Sequence, residues 1–236
     1  MFTQKFQAWV RRWAERAVGT FRDSAITPNM LTLFGLAITT LGAGLVAIGQ
    51  VFLGGCVLLF AGLFDIFDGA LARASGKVYR YGAFLDSTVD RYSEGVVYLG
   101  ILVYFLAHHL TLEPILVLTA LAGSFLVSYV RARAQSLGFR CEAGILARPE
   151  RVVIIVAGLL LEPLPTSWST LTIALWILAI GTNVTAVQRV WEVWRQNRAE
   201  LREQRAQQAF IADEPRRSPQ PVRAAMRRFF ETWGKT

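Results

Sequence analysis

The sequence predicts an all-α integral membrane protein: six transmembrane helices preceded by an amphipathic interfacial helix, with both termini in the cytoplasm. Composition is the first of three observations behind this. Of 236 residues 53% are hydrophobic, yet the formal charge is +8, a combination expected of a membrane protein with basic loops. The second is a set of long apolar runs beginning near Asn29, Val51, Phe84, Pro114, Val152 and Trp168, each close to the roughly 20 residues that a tilted bilayer span requires. The third is the placement of charge. Lys and Arg number 5 before Thr27, 3 from Arg73 to Arg80, 5 from Arg131 to Arg151 and 11 from Arg189 onward, with Arg91 alone besides. The connecting stretches IGQVFLGG, AHHLTLEP and LEPLPTSWS contain none. Because basic residues gather on the cytoplasmic side, the basic loops and both ends face the cytoplasm, and the protein is expected in the cell membrane.

Each segment has its own signal. Residues 1–27 read as a juxtamembrane helix: Phe6, Trp9, Val10, Trp13, Ala17 and Phe21 recur at helical spacing with Lys and Arg between them, as in a helix lying on anionic headgroups. This segment lacks the continuous apolar core of a signal peptide, so it is expected to stay in the mature protein. Thr27 can then cap the first span and Pro28 can occupy its first turn. Residues 28–190 form the six-helix domain, and residues 191–236 a basic cytoplasmic tail. The tail begins as a charged helix, is broken by DEPRRSPQP, and ends in VRAAMRRFFETW, which either returns to the membrane surface or stays unfolded. Cys56 and Cys141 fall on opposite membrane faces, so no disulfide joins them. No nucleic-acid partner is expected.

The chemistry is concentrated in LFDIFDGALARASGKVYRYGAFLDSTVDRYSEG, residues 63–95. Asp65 and Asp68 are three apart, Asp86 and Asp90 four apart, so on helices each pair projects from one face. Four carboxylates in such apolar surroundings are costly and repel one another. Arg73 and Arg91 cannot neutralise all four, and carboxylate oxygens without competing His or Cys suit hard cations such as Mg²⁺. Two such ions would balance the charge and build a phosphoryl-transfer site. A salt-bridged packing network is the alternative, but intramembrane carboxylates are functional by default. Gly69, Ala72 and Gly82 leave the acidic faces with little bulk, open to a flat base or sugar; taken singly, each reads equally as helix packing.

Asp65, Asp68, Gly69, Ala72, Arg73, Gly82, Asp86 and Asp90 match the pattern D-x2-D-G-x2-A-R-x8-G-x3-D-x3-D. This stretch resembles the signature of the CDP-alcohol phosphotransferases. In that family an alcohol attacks the phosphorus of a CDP-linked lipid and CMP leaves, a metal-dependent transfer of the EC 2.7.8 type. The resemblance implies that Asp65, Asp68, Asp86 and Asp90 hold two Mg²⁺ ions, Mn²⁺ being possible, and that Asp90 also accepts the acceptor's proton. Gly69, Ala72, Arg73 and Gly82, with Asn29 and Thr32 of TPNMLT, would contact a CDP-diacylglycerol or CDP-archaeol-type donor. Asn29 and Thr32 can equally serve as helix-capping residues. A homodimer is implied as well, and Gly35, Gly42, Gly44 and Gly55 could allow close helix packing.

The acceptor is read from SYVRARAQSLGFRCEAGILARPERVV, residues 128–153, where five arginines cluster. Forked guanidinium groups suit a phosphate, so the acceptor is expected to be a phosphorylated alcohol; the other reading is a basic loop touching membrane lipids. SYVRARA, RPER and QRV resemble the phosphatidylinositol phosphate synthases of actinobacteria and archaea. By that resemblance Ser128, Arg131, Arg151 and Arg189 grip the phosphate of inositol 1-phosphate. Arg131 stands where several members have lysine, which keeps the charge and changes the geometry. A phosphatidylglycerophosphate synthase using glycerol 3-phosphate is the alternative within the family. An intramembrane cation transporter is the alternative outside it, although the acidic motif shows no internal repeat.

Overall fold

The computed structural model describes residues 28–74, 80–164, 168–217 and 227–230, with Pro28 and residues 66–74 and 212–217 described by backbone alone. The expected interfacial helix over 1–27 lies outside them, as do the side chains of Asp68, Gly69, Ala72 and Arg73. Among the described residues all regular structure is helical. The helices are α1 (Pro28–Ala47), α2 (Val51–Ala74), α3 (Arg80–Ala107), α4 (Leu112–Ser136), α5 (Arg148–Leu161) and α6 (Thr170–Arg217).

Local signals set their ends. Proline begins α1. Gly49 follows its last turn at φ 88°, a left-handed conformation that glycine adopts without strain. Its N–H bonds the Val46 carbonyl at 2.9 Å, and the Gln50 N–H bonds Leu45 at 2.9 Å. The chain therefore reverses within three residues into α2. Gly138, at φ 86°, closes α4 in the same way, and Pro149 sits in the first turn of α5, where its missing N–H costs nothing.

Asn29–Ala47, Leu112–Ser136 and Thr170–Ile211 are long and apolar enough to cross a membrane, and Val51–Asp65 is a shorter apolar stretch. The helix α3 carries its charge in its first half, from Arg80 to Glu94. With 14 residues, α5 rises only about 21 Å at 1.5 Å per residue. Large apolar side chains, among them Phe34, Leu41, Phe60, Leu106, Ile115 and Trp176, stand exposed, far more than a soluble monomer presents. Such a surface belongs in lipid, and the chain is a membrane protein.

Packing within the unit that ends at Arg189 relies on small residues, as expected where lipid removes the hydrophobic drive between helices. The helix α1 packs on α2 and α3, α2 on α5, and α3 on α4. A side chain at Gly100 of α3 would run into the Ala43 carbonyl of α1, and one at Gly123 of α4 into Thr182 of α6. Of the glycines expected to pack, Gly42 lies against Leu58 and Gly55 against Leu159, whereas Gly35 and Gly44 face open space. The buried core of Tyr98, Ile101, Phe105, Val117, Leu159, Leu171 and Leu175 lies beyond the acidic end of α3 and holds that end in place. In the second unit, which begins at Val190, the Trp191 and Trp194 rings lie 4.7 Å apart. The Arg198 guanidinium sits 4.6 Å over Trp194.

Candidate active site

One face of α3 presents Asp86 and Asp90 on successive turns, and α2 brings Asp65 to meet them. Each of the three offers a carboxylate oxygen within 4.8 Å of the others. Asp65 and Asp90 are half-buried and Asp86 is exposed. Three of the four acids expected to hold metal are therefore brought together; the side chain of the fourth, Asp68, lies outside the described residues.

A guanidinium from α5 spans this cluster. Arg148 donates from Nη1 to Asp65 Oδ2 at 2.8 Å and lies with Nη2 2.8 Å from Asp90 Oδ1, so one residue ties three helices. Arg91 stands farther off, its Nη1 3.9 Å from Asp90 Oδ2. Arg148 and the more distant Arg91 bring two positive charges to three negative ones, so the cluster stays net negative, as suits a bound cation. The donor set is wholly carboxylate oxygen, which fits a hard divalent ion and disfavours a soft one. The residues present therefore fit the expected metal.

The candidate donor contacts converge only in part on these observations. A Cβ built on Gly82 of α3 would lie 3.6 Å from Asn29 Oδ1 of α1, so these two residues adjoin one turn before Asp86. Thr32 is half-buried and lies one turn from Asn29 on α1.

The acceptor candidates divide. Arg131 is exposed and Ser128 half-buried on the last turns of α4. Arg189, 3% exposed, donates from Nη1 to the carbonyl of Val127 at 2.6 Å, the residue before Ser128. It also donates from Nε to Ala143 at 2.9 Å. Arg151, 1% exposed, donates from Nε to Glu94 Oε1 at 2.7 Å, from Nη2 to Glu94 Oε2 at 3.0 Å, and from Nη1 to the Leu146 carbonyl at 3.2 Å. The Leu146 N–H in turn bonds Thr185 Oγ1 at 3.2 Å. Two buried arginines and a threonine thus fasten the α4–α5 loop at Ala143 and Leu146.

Sequence reasoning counted Arg148 only among the arginines suited to the acceptor's phosphate, with no link to the acids, and assigned no role to Glu94. Glu94 had a visible signal, since it continues the four-residue spacing of Asp86 and Asp90. Arg148 had only its place three residues before Arg151.

An acidic cluster on helix faces, bridged by arginine and fitted to a hard cation, in an all-helical membrane protein, suits a metal-dependent phosphoryl-transfer enzyme. Residues 25–193 match the family model of the CDP-alcohol phosphatidyltransferases, and the chain belongs to that family. It is 42% identical over 176 residues to the phosphatidylinositol phosphate synthase of Mycolicibacterium smegmatis, covering 72% of this chain and 78% of the relative. To the archaetidylinositol phosphate synthase of Methanothermobacter thermautotrophicus it is 37% identical over 171 residues, covering 72% of this chain and 85% of the relative. Among solved structures, the Mycobacterium tuberculosis phosphatidylinositol phosphate synthase with CDP-DAG bound superposes with a TM-score of 0.71 at 36% identity, covering 78% of this chain and 94% of that one. The same enzyme in complex with manganese and citrate gives 0.70 at 36%, covering 77% and 88%.

Proposed function

We propose that this enzyme transfers a phosphatidyl-type group from CDP-diacylglycerol, or an ether analogue, to a hydroxyl of inositol 1-phosphate, releasing CMP and forming phosphatidylinositol phosphate. The observation that carries the reading is the meeting of α3 and α5. The α3 face that supplies Asp86 and Asp90 receives Arg148 on its acids and, one turn along α5, Arg151. An acceptor whose phosphate is held beside these arginines would bring a hydroxyl of its polyol ring close to Asp90. The activity of the mycobacterial and archaeal relatives supports the same acceptor.

Each residue then has a task. Asp65, Asp68, Asp86 and Asp90 hold two Mg²⁺ ions, which supply charge stabilisation at the pyrophosphate; manganese in the mycobacterial relative supports a divalent site. Asn29, Thr32, Gly69, Ala72, Arg73 and Gly82 line the place of the CDP group. Ser128, Arg131, Arg151 and Arg189 bind the acceptor's phosphate, with the forked guanidinium groups each able to meet two oxygens. Asp90 accepts the proton of the attacking hydroxyl. The hydroxyl oxygen forms a bond to the lipid-bearing phosphorus, the bond between that phosphorus and the bridging oxygen breaks, and the bridging oxygen leaves with the electron pair as part of CMP. Arg148 fixes the orientation of Asp65 and Asp90.

The six helices of residues 28–190 make six passes, with both termini and the acids toward the cytoplasm as the basic loops imply. Residues 1–27 lie on the surrounding membrane lipids, residues 191–236 form a basic tail, and the enzyme works as a homodimer in the cell membrane. The product provides a direct test. Lipid formed from CDP-diacylglycerol and inositol 1-phosphate should carry a monoester phosphate that alkaline phosphatase removes. A lipid product resistant to phosphatase would contradict the assigned acceptor.

A further inference from the structure

Glu94 has no task in the scheme above, yet its surroundings are specific. Asp86, Asp90, Glu94 and Tyr98 follow one another every four residues on one face of α3. Burial rises along that row, from an exposed Asp86 through a half-buried Asp90 to Glu94 at 8% and Tyr98 at 0% exposure. The helix α5 answers with two arginines three residues apart. Arg148 meets Asp90 and Arg151 meets Glu94, so two rungs of opposite charge join the helices, one at the acidic cluster and one inside the core. A buried ion pair is weak evidence of stability, because apolar residues of similar volume often serve as well or better. What it supplies is direction. A guanidinium carries five N–H groups in one plane. Glu94 takes the Nε–H and one Nη2–H, and the Leu146 carbonyl takes one Nη1–H. One N–H on each of Nη1 and Nη2 remains, a pair of donors on neighbouring nitrogens such as a phosphate accepts. Shielding from water strengthens hydrogen bonds made there.

We infer that Glu94 is a positioning residue for the acceptor. By holding the side of the Arg151 guanidinium in a two-bond clamp, it fixes the plane in which the remaining donors meet the acceptor's phosphate. This rests on the reading of Arg151 as an acceptor-phosphate residue. Glu94 itself touches neither substrate. The test is steady-state kinetics of the full-length protein in lipid nanodiscs with Mg²⁺, varying inositol 1-phosphate and CDP-diacylglycerol separately, for the wild type, Glu94→Gln, Arg151→Ala and the double variant. Glu94→Gln is expected to raise the KM for inositol 1-phosphate about tenfold and leave that for CDP-diacylglycerol within about twofold, with the double variant no worse than Arg151→Ala alone. Glu94→Asp keeps the charge and draws the guanidinium back by one methylene; it is expected to raise the same KM and stands in should Glu94→Gln fail to fold. A raised acceptor KM in Arg151→Ala beside an unchanged one in the Glu94 variants would overturn the inference and spare the reading of Arg151. Losses that simply add in the double variant would overturn it too. An unchanged acceptor KM in Arg151→Ala would show that the reading of Arg151 had failed, and the inference with it.

Discussion

Asp90→Asn is expected to lower turnover by about 10²- to 10⁴-fold, the range lost with a general base, while CDP-diacylglycerol still binds. The asparagine keeps the shape of the side chain and can still accept a hydrogen bond from Arg148, which also holds Asp65 at 2.8 Å. Most of the metal site survives, because Asp65 and Asp86 still offer oxygens to it, with Asp68 proposed beside them. What is lost is the group that takes the proton as the acceptor oxygen attacks. Rates measured with saturating substrates, alongside a direct CDP-diacylglycerol binding isotherm, separate the two effects. Near-normal turnover would remove Asp90 from the role of base.

Arg151→Ala should act on a different constant. Two charge-assisted hydrogen bonds to the acceptor's phosphate disappear, so the KM for inositol 1-phosphate rises about 10- to 100-fold, while that for CDP-diacylglycerol stays nearly constant. The variant also leaves Glu94, 8% exposed, without its partner in the core. Breaking a buried pair from one side costs about 3–5 kcal/mol, so a lower melting temperature accompanies the kinetic change. The two effects are read separately, since loss of folded protein lowers the apparent kcat and leaves KM untouched. An unchanged acceptor KM would leave Arg151 a structural residue that joins α5 to Glu94 and to the Leu146 carbonyl.

What the sequence disclosed followed from what is local in it. The acids are three and four residues apart, and that spacing places them on helix faces in any context. Asn29 and Gly82 were named from a motif and the structure sets them side by side. The positions of the apolar runs found the helices, but α3 begins at Arg80 and α5 at Arg148, ahead of runs starting near Phe84 and Val152. Hydropathy registers only the apolar stretch, whereas the helical backbone continues through the polar turn before it. That hidden turn carries Arg148, which is why its bridge to Asp65 and Asp90 was not legible. Glu94 was hidden for another reason. Its partner lies 57 residues away, and only the packing of α5 beside α3 turns an ordinary glutamate into half of a buried pair. The same holds for the glycines: Gly42 and Gly55 pack closely, Gly35 and Gly44 do not, and the approaches at Gly100 and Gly123 depend on helix crossings that no local pattern announces.

The most direct test of the proposed activity is CMP release by the detergent-purified protein with CDP-diacylglycerol and Mg²⁺, offered inositol 1-phosphate, glycerol 3-phosphate, free inositol or serine in separate reactions. Release that depends on inositol 1-phosphate, with background rates for the other three, is the predicted result. Release only with glycerol 3-phosphate would keep the acidic site and contradict the acceptor assigned to the arginines, and the absence of release with all four would contradict the proposed reaction itself.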